Sequence, residues 1–214
     1  MPDPTEVPVA APAPMAERLA PVKARVHEAF DTLSETTTTV PRLVPTLVGR
    51  MRGPLGQLVT AGQHRDTFDQ RMEHLETATE RLEGCSAAER AAALAVVAEQ
   101  LVALSILLEE SAGQAGRAFH AICGIAAGAE SLSEDAQAHL SKIARRGSQA
   151  TVRLQSAAEL LSIEADGQAA RIGSEVTGAA MAEADLSWLL ALYTMDEERQ
   201  IHRRAIARAS EQIT

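Results

Sequence analysis

The chain contains very few aromatic residues and no asparagine. Only 2% of its 214 residues are aromatic, while 46% are hydrophobic, and many of these are alanine. β-Strands favour aromatic and β-branched side chains, whereas alanine has the highest helix propensity and lets helices pack closely. The composition therefore predicts an all-α protein rather than a β-sheet protein, and the length suits one helical domain.

Acidic residues outnumber basic residues, which makes nucleic acid a poor partner. The formal net charge is −9 and the pI is about 5.2. A phosphate backbone attracts basic surfaces, and unpaired bases stack on aromatic rings, of which this chain has few. We therefore expect the partner to be a protein.

Neither the cysteines nor the apolar runs indicate secretion or a membrane. Cys85 and Cys123 are too few for a disulfide framework and suit a reducing cytosol, and Cys123 is expected in the core because its neighbours are small or apolar. The N-terminus lacks the basic and apolar regions of a signal peptide. The longest apolar stretch, 91–108, is interrupted by Glu99 and Gln100, so no membrane span is expected. The sequence predicts a soluble cytoplasmic protein.

Proline and glycine divide the first half of the chain. Residues 1–14 contain five prolines and are predicted to form a disordered tail before a single helical domain over 15–214. A helical pattern begins near Met15 and is expected to end or kink at Pro41 and Pro45. Gly53-Pro54 is a candidate for a second break, after which a helix covers about 54–83.

Capping signals and glycines divide the second half. Residues 84–86 predict a turn, and Ser86 to Glu89 fits a capping box that opens a helix with a coiled-coil-like seam. Glycines between 113 and 128 leave two interpretations open, a close helix crossing or a break. A second capping box begins at Ser131 and opens another long apolar pattern.

The C-terminal part is predicted to contain one more turn and one more helix. Asp166-Gly167 is the expected turn, and the last helix is expected to run through Ile172 and on to Ile201. The sum is four to five long antiparallel helices, which form an elongated up-and-down bundle with coiled-coil-like seams. Seams of this length often extend to a partner subunit, so a homodimer is expected.

The helix over about 54–83 carries the most informative residues. Asp66 and Gln70 stand four apart, so they lie one turn apart on one helix face. Four further polar residues extend this stripe, namely Gln63, Glu73, His74 and Thr77. An apolar stripe runs beside it through Leu58, Ala61, Phe68, Met72, Leu75, Thr79 and Leu82.

Residues 63–74 resemble the motif segment of CheZ-type phosphatases, helical proteins that dephosphorylate chemotaxis response regulators. The segment reads Gln63-x-x-Asp66-x-x-x-Gln70-Arg71-x-Glu73-His74. It is similar to the Asp-x-x-x-Gln-Arg-x-Glu-His run of helical relatives of that family. The resemblance implies an Asp and a Gln that insert from one helix into the active site of the regulator.

The resemblance assigns a role to each residue of the pair. It implies that Gln70 orients the water that attacks the aspartyl phosphate of a CheY-like response regulator, and that Asp66 contacts the active-site Lys of the regulator. Gln63, Glu73, His74 and Thr77 are then expected to border the contact with this partner. The Mg²⁺ of the reaction belongs to the regulator, so neither a metal nor another cofactor of the chain's own is implied.

Two other interpretations remain open. His139-Leu-Ser-Lys142 is similar to the His-x-x-Lys of phosphotransfer domains, although Ile143 stands where that motif usually has glycine. The chain would then be a non-enzymatic adaptor, or a degenerate histidine-phosphotransfer bundle, that binds a signalling partner. In the other interpretation, Asp66 and Gln70 are simply part of a solvated surface.

Several other kinds of site are not indicated. A di-iron bundle needs Glu three residues before His, and none of the six histidines has one. Haem-attachment, Gly-rich phosphate-loop and Gly-x-Ser-x-Gly motifs are absent from the sequence. Asp196 and Gln200 repeat the spacing of Asp66 and Gln70, but within a charge run that favours a solvated face over a second site.

Overall fold

The structure is a computed structural model that describes residues 14–82, 85, 87–129 and 132–178. These residues form four long helices: α1 (Met15–Leu43), α2 (Val48–Glu80), α3 (Ala87–Ala127) and α4 (Glu134–Gly178). A short 3-10 turn, Pro45–Leu47, joins α1 to α2, and no strand occurs within the described ranges. The all-α prediction is confirmed. Most of the predicted tail, and the predicted last helix beyond Gly178, lie outside the described residues.

Each helix packs against its neighbours in the chain, and α1 also packs against α4, which closes a ring of four. Paired residues show that the neighbours are antiparallel. Lys23 and Asp31 of α1 bond to Glu76 and Arg65 of α2, so the numbers rise along one helix as they fall along the other. Arg18 and Glu35 of α1 pair with Glu164 and Arg146 of α4 in the same sense. The up-and-down arrangement places α2 and α4 on opposite sides of the bundle.

The core contains the apolar seams that the sequence predicts. The α3 seam is buried completely or nearly so, and it consists of Leu94, Val97, Leu101, Leu104 and Leu108. The glycine-rich part of α3 is one continuous helix as far as Ala127. The interpretation of a break is therefore wrong. Of these glycines, Gly116 is the one that lies against α4, with Cγ2 of Thr151 3.5 Å from the position that its Cβ would take. The closest approach of α3 and α4 occurs at a glycine of α4, Gly147, over which the buried Phe119 ring lies.

Two predicted breaks are wrong. The helix α2 runs through Gly53-Pro54, and α4 runs through Asp166-Gly167 to Gly178. A helical proline removes one backbone hydrogen bond and costs about 3 kcal/mol, but Met51 and Leu55 on either side of it are both buried in the core. Ala165 and Ile172 bury the same face of α4 on both sides of Gly167. Tertiary burial thus overrides these local signals.

Other boundaries differ by a few residues. The helix α1 includes Pro41 and ends at Leu43, close to the predicted end. Ser86 and Ser131, which open the two predicted capping boxes, lie outside the described residues. Ser133 caps α4 instead, because its Oγ accepts a hydrogen bond of 3.3 Å from the backbone N–H of Ala136.

The helix α3 is also the most apolar part of the described chain. Among the described helices, its segment Glu89–Ala127 alone is long and apolar enough to cross a membrane, and the mean hydropathy of its most apolar 18 residues is 2.2. The sequence-based expectation of no such helix is therefore not met by this criterion. In the structure α3 packs between α2 and α4, and 39% of that apolar window is buried inside the bundle.

Candidate functional site

The predicted polar stripe of α2 faces away from the bundle. Its six residues are exposed: Gln63, Asp66, Gln70, Glu73, His74 and Thr77. The opposite side of α2 carries Ala61, Phe68, Met72 and Leu75, each at most 1% exposed. At about 100° per residue, Phe68 lies roughly 200° around the helix from Asp66, so burial of one side turns the other towards solvent.

Five of the six side chains of this stripe have no hydrogen-bonding partner among the described residues. In the described part of the chain, no hydrogen bond or ion pair engages the side chains of Gln63, Asp66, Gln70, Glu73 or His74. Thr77 differs, since its Oγ1 donates to the backbone oxygen of Glu73 over 2.9 Å. A carboxylate and a carboxamide therefore stand one turn apart with open donor and acceptor positions.

The flank of α2 that faces α1 is fixed by cross-helix pairs. Nε2 of His27 lies 2.6 Å from Oδ1 of Asp69, and Nζ of Lys23 lies 3.0 Å from Oε1 of Glu76. Asp69 lies three residues from Asp66, yet its carboxylate is engaged by α1. The acids of α2 thus fall into two groups: Asp69 and Glu76 are paired with α1, while Asp66 and Glu73 are exposed without a partner among the described residues.

The flank that faces α3 is held by a chain of hydrogen bonds. Nδ1 of His64 lies 2.7 Å from Oγ of Ser111, and this hydroxyl donates to the backbone oxygen of Leu107 over 2.8 Å. Because the serine has a single hydroxyl hydrogen, Nδ1 of His64 is the donor in the first bond. Arg71 reaches Oε1 of Gln100 at 3.4 Å on the same side.

An aromatic cluster lies beneath the Asp-Gln pair. Phe68, midway between Asp66 and Gln70, is fully buried and meets the His27 ring edge-on at 6.0 Å between centroids. The centroid of the Phe30 ring lies 6.3 Å from that of Phe68, and the two rings are tilted by 60°. This packing fixes the rotation of α2 about its own axis and so fixes the direction of the exposed pair.

Sequence reasoning did not identify the residues that hold the stripe in place, namely His27, Asp69, Ser111 and Arg65. Their partners are 34 to 47 residues away in the chain. No local spacing indicates such pairs. The only available signal was an indirect one, the presence of charged residues beside an apolar stripe.

The remaining candidates lie elsewhere. His139 is exposed on α4, and its Nδ1 lies 2.8 Å from the backbone oxygen of Asp135. Asp196 and Gln200 lie outside the described residues. Within the described ranges, no group of three or more His, Cys, Asp or Glu side chains is arranged to hold a metal ion.

Cys123, predicted to lie in the core, is exposed. It is adjacent in sequence to Ile122, which faces the core at 2% exposure, and one residue is enough to turn a helical side chain out of the core.

Comparison with known proteins does not identify a relative of this chain. No protein-family model, curated protein or solved structure matches the chain. The resemblance at residues 63–74 is therefore weighed on the geometry and chemistry of those residues.

Proposed function

We propose that this protein promotes hydrolysis of the aspartyl phosphate of a response regulator. Gln70 orients the attacking water, and Asp66 pairs with the active-site Lys of the regulator. The observation that carries the proposal is that both side chains are exposed on one face of α2 and have no partner among the described residues.

The chemistry requires positioning rather than a nucleophile from this chain. The carboxamide oxygen of Gln70 accepts a hydrogen bond from the water, while its NH₂ group donates to the phosphoryl oxygens. A water that is already held in line loses less entropy on reaching the transition state, which lowers the barrier relative to attack by a free water. The Mg²⁺ that neutralises the phosphoryl charge is held by the regulator, and the proposed setting is the cytoplasm.

The rigidity of α2 supports this use. The bonds of Asp69 to α1 and of His64 to α3 fix the helix on both flanks. Because the helix that carries the Asp-Gln pair is fixed before the partner arrives, docking has to order two side chains but not the helix. Gln63, Glu73, His74 and Thr77 surround the pair on the same exposed face and supply the border of the contact.

The test is the decay of a phosphorylated regulator from the same organism, with and without this protein. Wild type should accelerate the decay, and Gln70→Ala should abolish the acceleration. Gln57→Ala is the matched control, since Gln57 is an exposed glutamine of the same helix outside the stripe. Circular dichroism should show equal helicity in all three proteins. Equal acceleration by the Gln70 and Gln57 variants would overturn the proposal.

One observation favours a second function, histidine phosphotransfer at His139. The backbone oxygen of Asp135 can only accept, so Nδ1 of His139 carries a hydrogen, and the lone pair of the neutral ring is on Nε2. An exposed Nε2 of this kind is able to take a phosphoryl group. Incubation with a phosphorylated regulator should then label His139, and His139→Gln should remove the label while Gln70→Ala retains it.

A further inference from the structure

The outward face of α4 carries an apolar stripe that the bundle does not cover. Val152, Leu160 and Ile163 are 57%, 44% and 66% exposed, and they are three of the five large hydrophobic residues exposed in the described chain. They belong to a set of uncharged exposed residues at helical spacing, here called the α4 stripe: Gln149, Val152, Ser156, Leu160, Ile163, Gly167 and Ala170. Glu159 lies at its edge.

A groove runs beside the α4 stripe. It lies between α1 and α4, with a volume of about 370 Å³, and the buried Val22 and Ala157 line it. Leu160 and Val152 form part of its outer wall. Ridge and groove therefore lie next to each other on one surface, and a two-fold interface needs both on the same patch.

We propose that this face binds a second copy of the chain, with the two α4 helices antiparallel. A two-fold axis between residues 159 and 160 places Ile163 of each copy opposite Ser156 of the other, and Val152 opposite Gly167. Ile163 and Val152 thus each face a small residue, which favours close helix packing, while Leu160 lies beside the axis and faces Glu159.

The charges at the two ends of the face agree with this orientation. Lys142 and Arg145 are exposed before the N-terminal end of the α4 stripe. The C-terminal end carries two bases, Arg171 and Arg18 of α1, and three acids, Asp166, Glu164 and Glu17 of α1; Arg18 pairs with Glu164. An antiparallel contact therefore brings the basic end of one copy towards an end of the other with a net negative charge, while a parallel contact would place the two basic ends together.

The size of the face sets the expected affinity. The segment 149–170 is about 33 Å long, and two helices side by side are about 20 Å wide, so each copy would bury about 650 Å². The total of about 1,300 Å² lies at the lower end of stable interfaces. We therefore expect a dimer that dissociates on dilution into the micromolar range.

Sedimentation equilibrium of the full-length chain over a range of concentrations tests the interface. Ile163→Glu should weaken dimerisation at least about tenfold, because each dimer would bury two unpaired carboxylates. Val96→Glu is the matched control, since Val96 is 46% exposed on α3 and should leave the dimer unchanged. A monomer at every concentration, or equal dissociation by both variants, would overturn the proposal.

Cysteine cross-linking tests the orientation. In a chain with Cys85→Ser and Cys123→Ser, Leu160→Cys lies beside the axis and should form a disulfide between copies on oxidation. Gln149→Cys lies far from the axis in an antiparallel dimer and should not. A parallel dimer would cross-link through both positions, and that result would refute the arrangement.

The proposed dimer and the proposed phosphatase activity can be tested independently of each other. The α4 stripe lies across the bundle from α2, so Ile163→Glu should retain the Gln70-dependent decay of the phosphorylated regulator per subunit. Gln70→Ala should in turn retain the dimer.

Discussion

The helices α2 and α4 lie on opposite sides of one bundle and present outward faces of different chemistry. The exposed face of α2 is polar and carries open hydrogen-bonding groups, whereas that of α4 carries an uncharged stripe with three exposed large hydrophobic residues over about three turns. The core-facing sides of the two helices are alike, because both bury apolar side chains. A polar face remains well solvated when alone and suits a partner that comes and goes. An apolar face gains free energy from being covered and suits a lasting partner.

The largest effect should come from the residue that anchors the polar face. Phe68→Ala removes a fully buried ring between Asp66 and Gln70, and should lower the free energy of unfolding by about 3–5 kcal/mol. Urea denaturation measures this loss. Val59→Ala, a truncation at a 46% exposed site of the same helix, should change stability by about 0.5 kcal/mol or less. Similar losses for the two variants would show that Phe68 does not anchor α2.

A smaller effect should come from the close crossing of α3 and α4. A Cβ at Gly147 would collide with the ring of Phe119, so Gly147→Ala should destabilise the fold by about 1–3 kcal/mol. Gly56→Ala is the control, because the new methyl group there meets no side chain and no other helix within 4 Å. That change should stabilise the helix by up to about 1 kcal/mol. The midpoint temperature of thermal unfolding should fall for Gly147→Ala and rise for Gly56→Ala. If both variants moved it in the same direction, the close crossing at Gly147 would be contradicted.

The contrast between the two faces could be predicted from sequence only in part. The all-helical class, the start of α1 and the burial of Phe68, Met72 and Leu75 follow from composition and helical spacing. The Asp-Gln stripe follows from the same periodicity. The pairs His27–Asp69 and His64–Ser111 could not be predicted, because their partners come from other helices and no local spacing encodes them.

The errors at Gly53-Pro54 and Asp166-Gly167 have one cause. Each dipeptide is a turn signal when considered locally, but the apolar residues on both sides share one core face. The free energy gained by burying that face exceeds the local penalty. The exposed α4 stripe could not be predicted for a related reason. Spacing along the sequence shows that α4 has apolar residues on more than one side, but only the packing of the other helices decides which side is buried.

A matched pair of aspartates sharpens the description of the polar face. Asp66→Asn should leave stability unchanged but weaken regulator-dependent turnover at least about tenfold, since the proposed charge pair with Lys is lost. Asp69→Asn should do the reverse. Its carboxylate is 42% exposed and pairs with His27, so its loss should cost about 0.5–1 kcal/mol of stability with little change in turnover. If Asp69→Asn reduced turnover as much as Asp66→Asn, the division into bound and open acids would be wrong.

The smallest expected effect concerns a surface that belongs to neither face. Cys123 is exposed on α3, yet partial burial raises the pKa of its thiol above the usual value, and a backbone hydrogen bond opposes this rise only in part. A raised pKa means less thiolate at a given pH, and the thiolate is the species that reacts. In a Cys85→Ser background, alkylation by iodoacetamide at pH 8 should therefore be slower than that of an unstructured cysteine peptide. The two alkylation rates should converge as the pH rises past the pKa of Cys123. If Cys123 reacted faster than the peptide at pH 8, partial burial would not be raising the pKa of its thiol.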